Sequence, residues 1–345
     1  CVRSGGVRRA VPDTYGDGMS KVETRTVAPD EADIRLDRWF RRHFQHVTHG
    51  ALEKLLRTGQ VRVDGGRVKG NHRLQPGQEI RIPPLPEPGE APPPKTISAE
   101  DKAFARSMVL YEDDTLIALN KPPGLPVQGG SKVTRHLDGL LDAFGTGEKR
   151  PRLVHRLDKD TSGVIVVAKG ASNAAWLASL FKGRDLEKTY WAIALGIMVP
   201  RAGEITGYMK KTVSTQGDRE LMVAARHGEE GAQYALTRYA TADEAGRRAS
   251  WVVLRPETGR THQLRVHLAA AGHAIQGDGK YTCDVPPLGG VSQKLHLHAR
   301  KLVIPREGKK PLVLEAPLSK HMADTFEALG FDPDMEMRAI EAQLG

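Results

Sequence analysis

Seven prolines fall within the twelve residues Pro83–Pro94, which read Pro-Pro-Leu-Pro-Glu-Pro-Gly-Glu-Ala-Pro-Pro-Pro, and neither a helix nor an interior strand can pass through them. The stretch is a semi-rigid extended spacer over residues 83–98. It divides the 345 residues into a short unit before it and a long unit after it, each folding about its own core. With 39% hydrophobic and 27% charged residues, the chain has the apolar material for one large domain and one small one. No apolar run approaches the roughly 20 residues of a membrane span, and the first residues lack a hydrophobic signal core, so a cytoplasmic protein is expected. Cys1 and Cys283 are the only cysteines, which leaves no disulfide framework and no thiolate zinc site. The thirteen histidines include no H-x-x-x-H pair backed by a carboxylate, and no metal is expected.

The formal net charge of +9 and a pI near 9.5 point to a polyanionic partner, and the charge is not spread evenly. Between Ile34 and Ile82 there are eleven Lys/Arg against four Asp/Glu, an excess of seven within the short unit. Such a cluster is either a solvated basic face or a nucleic-acid contact. Residues 1–30 read as a disordered or mis-started extension: Cys1–Gly18 is rich in Gly and Arg without periodicity, and Met19-Ser20 resembles an initiation point. Within 31–82, Asp33 is expected to cap a helix carrying Leu36, Trp39, Phe40 and Phe44 on one face and Arg35, Arg38 and Arg42 on another. Thr48 is expected to cap a second helix, with Leu52, Leu55 and Leu56 inward, ended by Gly59. Val61–Val68 alternates around Asp64-Gly65 as a β-hairpin with Arg62 on its outer face, and a Pro76-Gly77 turn leads into a last strand, Glu79–Ile82.

The long unit, 99–331, opens with two strand segments in Val109–Asn120 and a stiff turn at Asn120-Lys121-Pro122-Pro123-Gly124. Further on, a helix is expected over Ala171–Lys182 and strands over Glu187–Leu195 and Trp251–Leu254. Thr261 is expected to cap a helix that ends at Gly272, with Leu264, Leu268 and Ala271 on one face and Arg265 at its edge. His262 and His267 read as packing or capping residues. Gly207–Gly231 matches no motif, and the tail 332–345 reads as a short surface helix.

Between the first strands and the 171–182 helix lies Leu153-Val-His155-Arg156-Leu157-Asp158-Lys159-Asp160-Thr161-Ser162-Gly163, followed by the β-branched run of a fully buried strand. Asp158 sits at the centre of a polar loop held between two pieces of core. The flanking charges of Arg156 and Lys159 favour its carboxylate form, which is a nucleophile or a base. In a plain strand-turn-strand the same Asp158, Thr161 and Ser162 would only satisfy turn amides. A hydrolase triad of His155, Asp158 and Ser162 would need a G-x-S-x-G elbow, and Asp160 stands where its first glycine belongs.

His155-Arg156-Leu157-Asp158 with Thr161-Ser162-Gly163 resembles the signature of the RluA-type pseudouridine synthases, in which the aspartate is catalytic. Asn120–Gly124 resembles the family's N-K-P-x-G turn, and Gln128-Gly129-Gly130-Ser131 is most similar to its RluC-like branch. Lys188-Thr189-Tyr190 resembles the segment that places a tyrosine on the target uracil. Arg260-Thr261-His262-Gln263-Leu264-Arg265 resembles the motif whose basic residue pairs with the catalytic aspartate, here Arg265. Gly277-Asp278, Tyr281 and His296–Arg300 also fit, so the resemblance spans Ile34 to Pro317. The short unit resembles the small RNA-binding domain shared with ribosomal protein S-four, with Arg35, Arg38, Arg42 and Arg62 as its RNA contacts.

The resemblance implies an α+β fold, a mixed or antiparallel catalytic sheet with flanking helices, plus the small N-terminal α/β domain. It implies RNA uridine isomerisation by Asp158, Tyr190 and Arg265, with Arg156 helping to fill the space the extruded base leaves. His155 is expected beside Arg156 as a substrate contact and Arg260 at a phosphate. Neither cofactor nor metal is implied, the partner is RNA, and the chain is expected to act as a monomer. The RluC-like placement favours large-subunit ribosomal RNA; transfer RNA is the alternative target, and a non-catalytic RNA-binding ribosome-assembly factor is the alternative class.

Overall fold

The computed structural model describes residues 22–85, 97–129, 135–183, 185–213 and 220–345. Residues 1–21 of the extension expected over 1–30, with the start at Met19-Ser20, most of the proline-rich stretch, and Gly130 and Ser131 lie outside the described residues, while Glu23–Thr26 of that extension pair with Glu79–Ile82 as a strand of the first unit. The chain forms two compact units that divide between Thr96 and Ile97. Among the described residues no helix is long and apolar enough to cross a membrane.

The first unit comprises β1 (Glu23–Thr26), α1 (Leu36–His43), α2 (His49–Arg57), β2 (Arg62–Val63) and β3 (Glu79–Ile82), with the three strands in the order β1-β3-β2. Leu36, Trp39 and Phe40 of α1 share one core with Leu52 of α2 and Ile80 and Ile82 of β3. Thr48 caps α2, its hydroxyl accepting the Ala51 amide at 3.3 Å. Two expectations fail here. Asp33 does not cap α1: Arg35 holds the N-cap position, while Asp33 has φ +62°, outside the extended region a cap requires, and its carboxylate takes Arg73 at 2.6 Å. Asp64 (φ +48°) and Gly65 (φ +72°) do form a tight turn, with Val63 and Gly66 exchanging amide bonds of 3.1 and 2.8 Å, yet no second arm follows. Arg62 and Val63 pair with Arg81 and Ile80 instead, because Glu79–Ile82 alternates exposed and buried residues and can complete an apolar face.

The second unit runs α3 (Ala99–Ser107), β4 (Val109–Glu112), β5 (Leu116–Lys121), α4 (Leu137–Leu140), β6 (Arg152–Leu153), β7 (Ser162–Ala168), α5 (Ala171–Lys182) and β8 (Glu187–Leu195). It continues through β9 (Ala202–Val213), β10 (Glu220–Ala225), β11 (Gln233–Ala245), β12 (Ala249–Pro256), α6 (Gln263–Ala270), β13 (Leu297–Arg306), β14 (Lys309–Glu315), α7 (Lys320–Leu329) and α8 (Arg338–Ala342). The strands make one sheet in the order β10-β9-β11-β12-β8-β13-β7-β5-β4, with β14 added to β13 and β6 to β7. Within Gly207–Gly231, silent as a motif, residues 208–213 and 220–225 pair at the β9–β10 end of this sheet. All pairings are antiparallel except β13 with β7, so the sheet is mixed.

All seven residues of β7 are buried because the strand has core on both sides. Ile165 and Val167 face the cluster that includes Leu137 and Leu140 of α4, while Val164 and Val166 face the cluster containing Leu177 of α5. Gly163, the second residue of the strand, has φ +106°, and a Cβ there would stand 2.2 Å from the Ala299 carbonyl oxygen of β13. Only glycine lets the two parallel strands approach at this point. The tail forms the expected short surface helix, α8, with no buried residue of its own; Leu344 after it is 1% exposed, and Lys301 of β13 holds Glu341 of α8 at 2.5 Å.

Candidate active site

Asp158 lies in the loop between β6 and β7, where its carbonyl accepts the Thr161 amide at 3.2 Å. Lys121, the last residue of β5, holds this loop from beneath. Its side chain is fully buried, and its ammonium donates to the carbonyls of Pro122 (3.0 Å), Leu125 (3.0 Å) and Lys159 (2.8 Å). Three acceptors use all three ammonium protons and tie the Asn120–Gly124 turn to the Asp158 loop. The Gly124 amide adds a bond to the Lys159 carbonyl at 2.9 Å. Burial draws the Lys121 pKa down to about 7, opposed by the charges of Asp160 and Asp158.

Two cationic or polar groups from the α6 segment face the Asp158 carboxylate. Arg265 Nη1 stands 3.9 Å from one oxygen, and His262 Nε2 stands 3.8 Å from the other. Arg265 is not, however, chiefly a partner of Asp158. Its Nε and Nη2 make a fork onto Asp278 at 2.7 and 2.6 Å, with the side chains 5% and 1% exposed. The expected pairing with Asp158 is present at 3.9 Å, and Asp278 anchors the guanidinium that makes it. Burial works against the guanidinium charge, but the Asp278 hydrogen bonds and charge prevail, and its pKa is raised.

His262, rather than Thr261, occupies the N-cap position of α6, in the left-handed region at φ +53° and with no side-chain cap bond. That conformation turns the ring toward Asp158 instead of toward the helix amides. His262 Nδ1 shares a 2.7 Å hydrogen bond with the Tyr281 hydroxyl, which accepts the Met222 amide at 3.1 Å. With the hydroxyl proton given to Nδ1, the Nε2 proton faces Asp158. Burial lowers the His262 pKa, with Asp158 opposing. Tyr281 also stacks beneath Arg265, 5.1 Å from ring centre to guanidinium carbon.

Asp158, Tyr190, His262 and Arg265 line one cleft of about 410 Å³, with Arg156 and Arg260 at the same cleft. Tyr190 is half-buried on β8, and burial first, then the Asp158 charge, raises its pKa, so the phenol stays protonated. Arg156 is exposed, whereas Arg260 donates its Nε to the Tyr234 carbonyl at 3.1 Å. His155 lines the cleft too, but its Nε2 accepts the Val166 amide at 2.9 Å and its ring stacks on Phe181 at 3.9 Å. Ser162 is fully buried and bonded to His298 at 2.8 Å, which leaves His155, Asp158 and Ser162 unassembled as a triad.

In the first unit, Arg38 and Arg42 are exposed, and Arg42 lies 3.9 Å from Asp30. Arg35 forks onto Asp37, and Arg62 donates to the carbonyls of Gly59 (3.0 Å) and Gly65 (3.2 Å). Sequence reasoning missed Asp278, His262 and Tyr281 as a connected group. One signal was available at Gly277-Asp278: Gly277 has φ +77°, and a Cβ there would meet the Lys294 carbonyl oxygen at 2.0 Å.

A family model described as RNA pseudouridylate synthase matches residues 115–270, a span that contains Lys121, Asp158, Tyr190, His262 and Arg265. The chain is 32% identical over 314 residues to the ribosomal large subunit pseudouridine synthase C of Salmonella typhi, covering 89% of this chain and 97% of that one. The protein of the same name from Haemophilus influenzae is 34% identical over 264 residues, 76% of this chain and 80% of its own. Among solved structures, human RNA Pseudouridylate Synthase Domain Containing 4 matches with a TM-score of 0.56 and 29% identity, covering 68% of this chain and 98% of that chain. Matched almost end to end with such relatives and sharing the fold of a solved one, this chain belongs to the RNA pseudouridylate synthase family.

Proposed function

We propose that this protein isomerises uridines of large-subunit ribosomal RNA to pseudouridine, as a cytoplasmic monomer, with Asp158 as the catalytic residue. The reaction breaks the bond from nitrogen 1 of uracil to the ribose, turns the base, and joins carbon 5 to the same anomeric carbon. No electrons are gained or lost, and no cofactor is called for. One carboxylate must face the nucleoside, to bond to carbon 6, to bond to the anomeric carbon, or to take a sugar proton. All three routes put the same group in the same place.

The single observation that carries the reading is the carboxylate of Asp158 in the cleft with Arg265 and His262 within 4 Å of its two oxygens and Tyr190 on the same wall. The two α6 groups hold it oriented, Tyr190 offers a neutral ring for the base to lie on, and Arg156, exposed at the cleft, fits the space that an extruded base leaves. The RNA target is supported by the relatives, which are named for the large ribosomal subunit. Release of tritium from carbon 5 of labelled uridine in large-subunit RNA tests the proposal. The wild type should release it, and Asp158→Asn should release none while its RNA affinity stays close to wild type. Turnover by the variant would remove Asp158 from the mechanism. Release from transfer RNA alone would replace the target class and leave the chemistry standing.

A further inference from the structure

β8 places Lys188 and Tyr190 two residues apart, so both side chains stand on one face of the sheet, and both line the cleft. Thr189 between them is buried on the opposite face. Lys188 is half-buried, and among the described residues no hydrogen bond or ion pair ends on its ammonium. The carboxylates that could take it are engaged elsewhere. Glu187 is held by Arg255 at 2.8 Å, Glu257 lies 3.6 Å from Arg238, and Glu341 belongs to Lys301. His155 beside it is neutral, its pKa pushed down to about 3 by burial and then by the Lys188 charge. Burial lowers the pKa of Lys188 itself, with the charge of Glu257 opposing. Lys182, at the end of α5, lines the same cleft and is exposed.

A half-buried cation that no carboxylate contacts costs folding free energy, and the cost is offset once an anion enters beside it. The substrate is a polyanion whose phosphates flank the extruded nucleoside. Two residues of strand span roughly 7 Å. That is comparable with the reach from a base, across its ribose, to its own phosphate.

We propose that Lys188, with Lys182 at the same cleft, is a phosphate-binding subsite and grips a backbone phosphate adjoining the target uridine while the base lies against Tyr190 and Asp158. The inference rests on the uridine-isomerase reading above. Holding a phosphate at a set distance from Asp158 fixes which atom of the nucleotide meets the carboxylate, so Lys188 binds and positions without entering the bond changes.

The test is a cycle between protein and RNA charge. Oligonucleotide substrates carry a single uncharged methylphosphonate at each linkage adjoining the target uridine, and binding and single-turnover rate are measured with wild type, Lys188→Met and Lys188→Arg. One neutral linkage should weaken wild-type binding about tenfold, the scale of one charged hydrogen bond. Lys188→Met should bind the unmodified RNA about tenfold more weakly and be indifferent to that same linkage, with a log–log salt slope shallower by about 0.7. Lys188→Arg should recover most of the affinity. Equal methylphosphonate penalties in wild type and Lys188→Met overturn the inference, as does a wild type insensitive at every linkage tested. Should methionine unfold the chain, Lys188→Gln completes the cycle. A wild type that releases no tritium from the unmodified RNA refutes the isomerase reading itself, an outcome distinct from turnover with additive penalties.

Discussion

The fork between Arg265 and Asp278 makes a prediction about both stability and catalysis. Asp278→Leu leaves a guanidinium only 5% exposed without its carboxylate, and Arg265→Met leaves a carboxylate only 1% exposed without its guanidinium. Removing one partner of such a buried pair costs about 3–5 kcal/mol, which at about 2–4 °C per kcal/mol lowers the melting temperature of the larger unit by roughly 6–20 °C. Asp278→Leu should be the worse of the two. Asp278 Oδ1 also accepts the amides of Lys280 (2.8 Å) and Tyr281 (3.1 Å), and Tyr281 supports His262. The double variant Arg265→Met/Asp278→Leu strands no charge, so it should melt above both single variants. It should nevertheless be inactive, because nothing then faces the second oxygen of Asp158. Thermal melting gives one half of the answer and single-turnover tritium release the other. A double variant no more stable than the worse single one would mean that the fork is not a coupled pair. Wild-type turnover by Asp278→Leu would mean that Arg265 needs no anchor to serve Asp158.

Lys121 gives the protein a pH dependence whose sign follows from its environment. Its folded pKa of about 7 lies below the ordinary lysine value, so above pH 7 the unfolded chain binds more protons and stability rises with pH until the ordinary value is reached. Lys121→Met should be less stable at every pH and should lose that rise; melting curves from pH 6.5 to 10 that run parallel for the two proteins would refute it. In the first unit, Arg38→Gln should lower the log–log salt slope of RNA binding by about 0.7–0.9, since Arg38 is exposed and makes no ion pair among the described residues. Arg62→Gln should instead lower stability, because its donors close the Gly59–Gly65 turn. The opposite pattern would place Arg62 at the RNA.

What the sequence by itself determined is whatever depends on neighbours along the chain. The β-branched run after Gly163 could only be a strand covered on both faces, and the helix over 171–182 and the strands over 187–195 and 251–254 follow from local periodicity, the last running on to 249–256 in the fold. Thr48 could be read as a cap because a cap bonds three residues ahead. The motif around Asp158 was legible for the same reason: its residues lie within a dozen positions. Local signals also mislead where a distant partner competes. Asp64-Gly65 made its turn, but β2 chose Glu79–Ile82, and Asp33 went to Arg73 rather than to α1. Tertiary structure alone decided the charge pattern of the site. Asp278 reaches Arg265 from thirteen residues away, Tyr281 reaches His262 from nineteen, and Lys121 reaches the Lys159 carbonyl from thirty-eight. None of these contacts has a periodicity to betray it. Each exists because a nearly dry interior makes an unpaired charge or donor costly, and folding brings to it whichever partner the sheet has placed within reach.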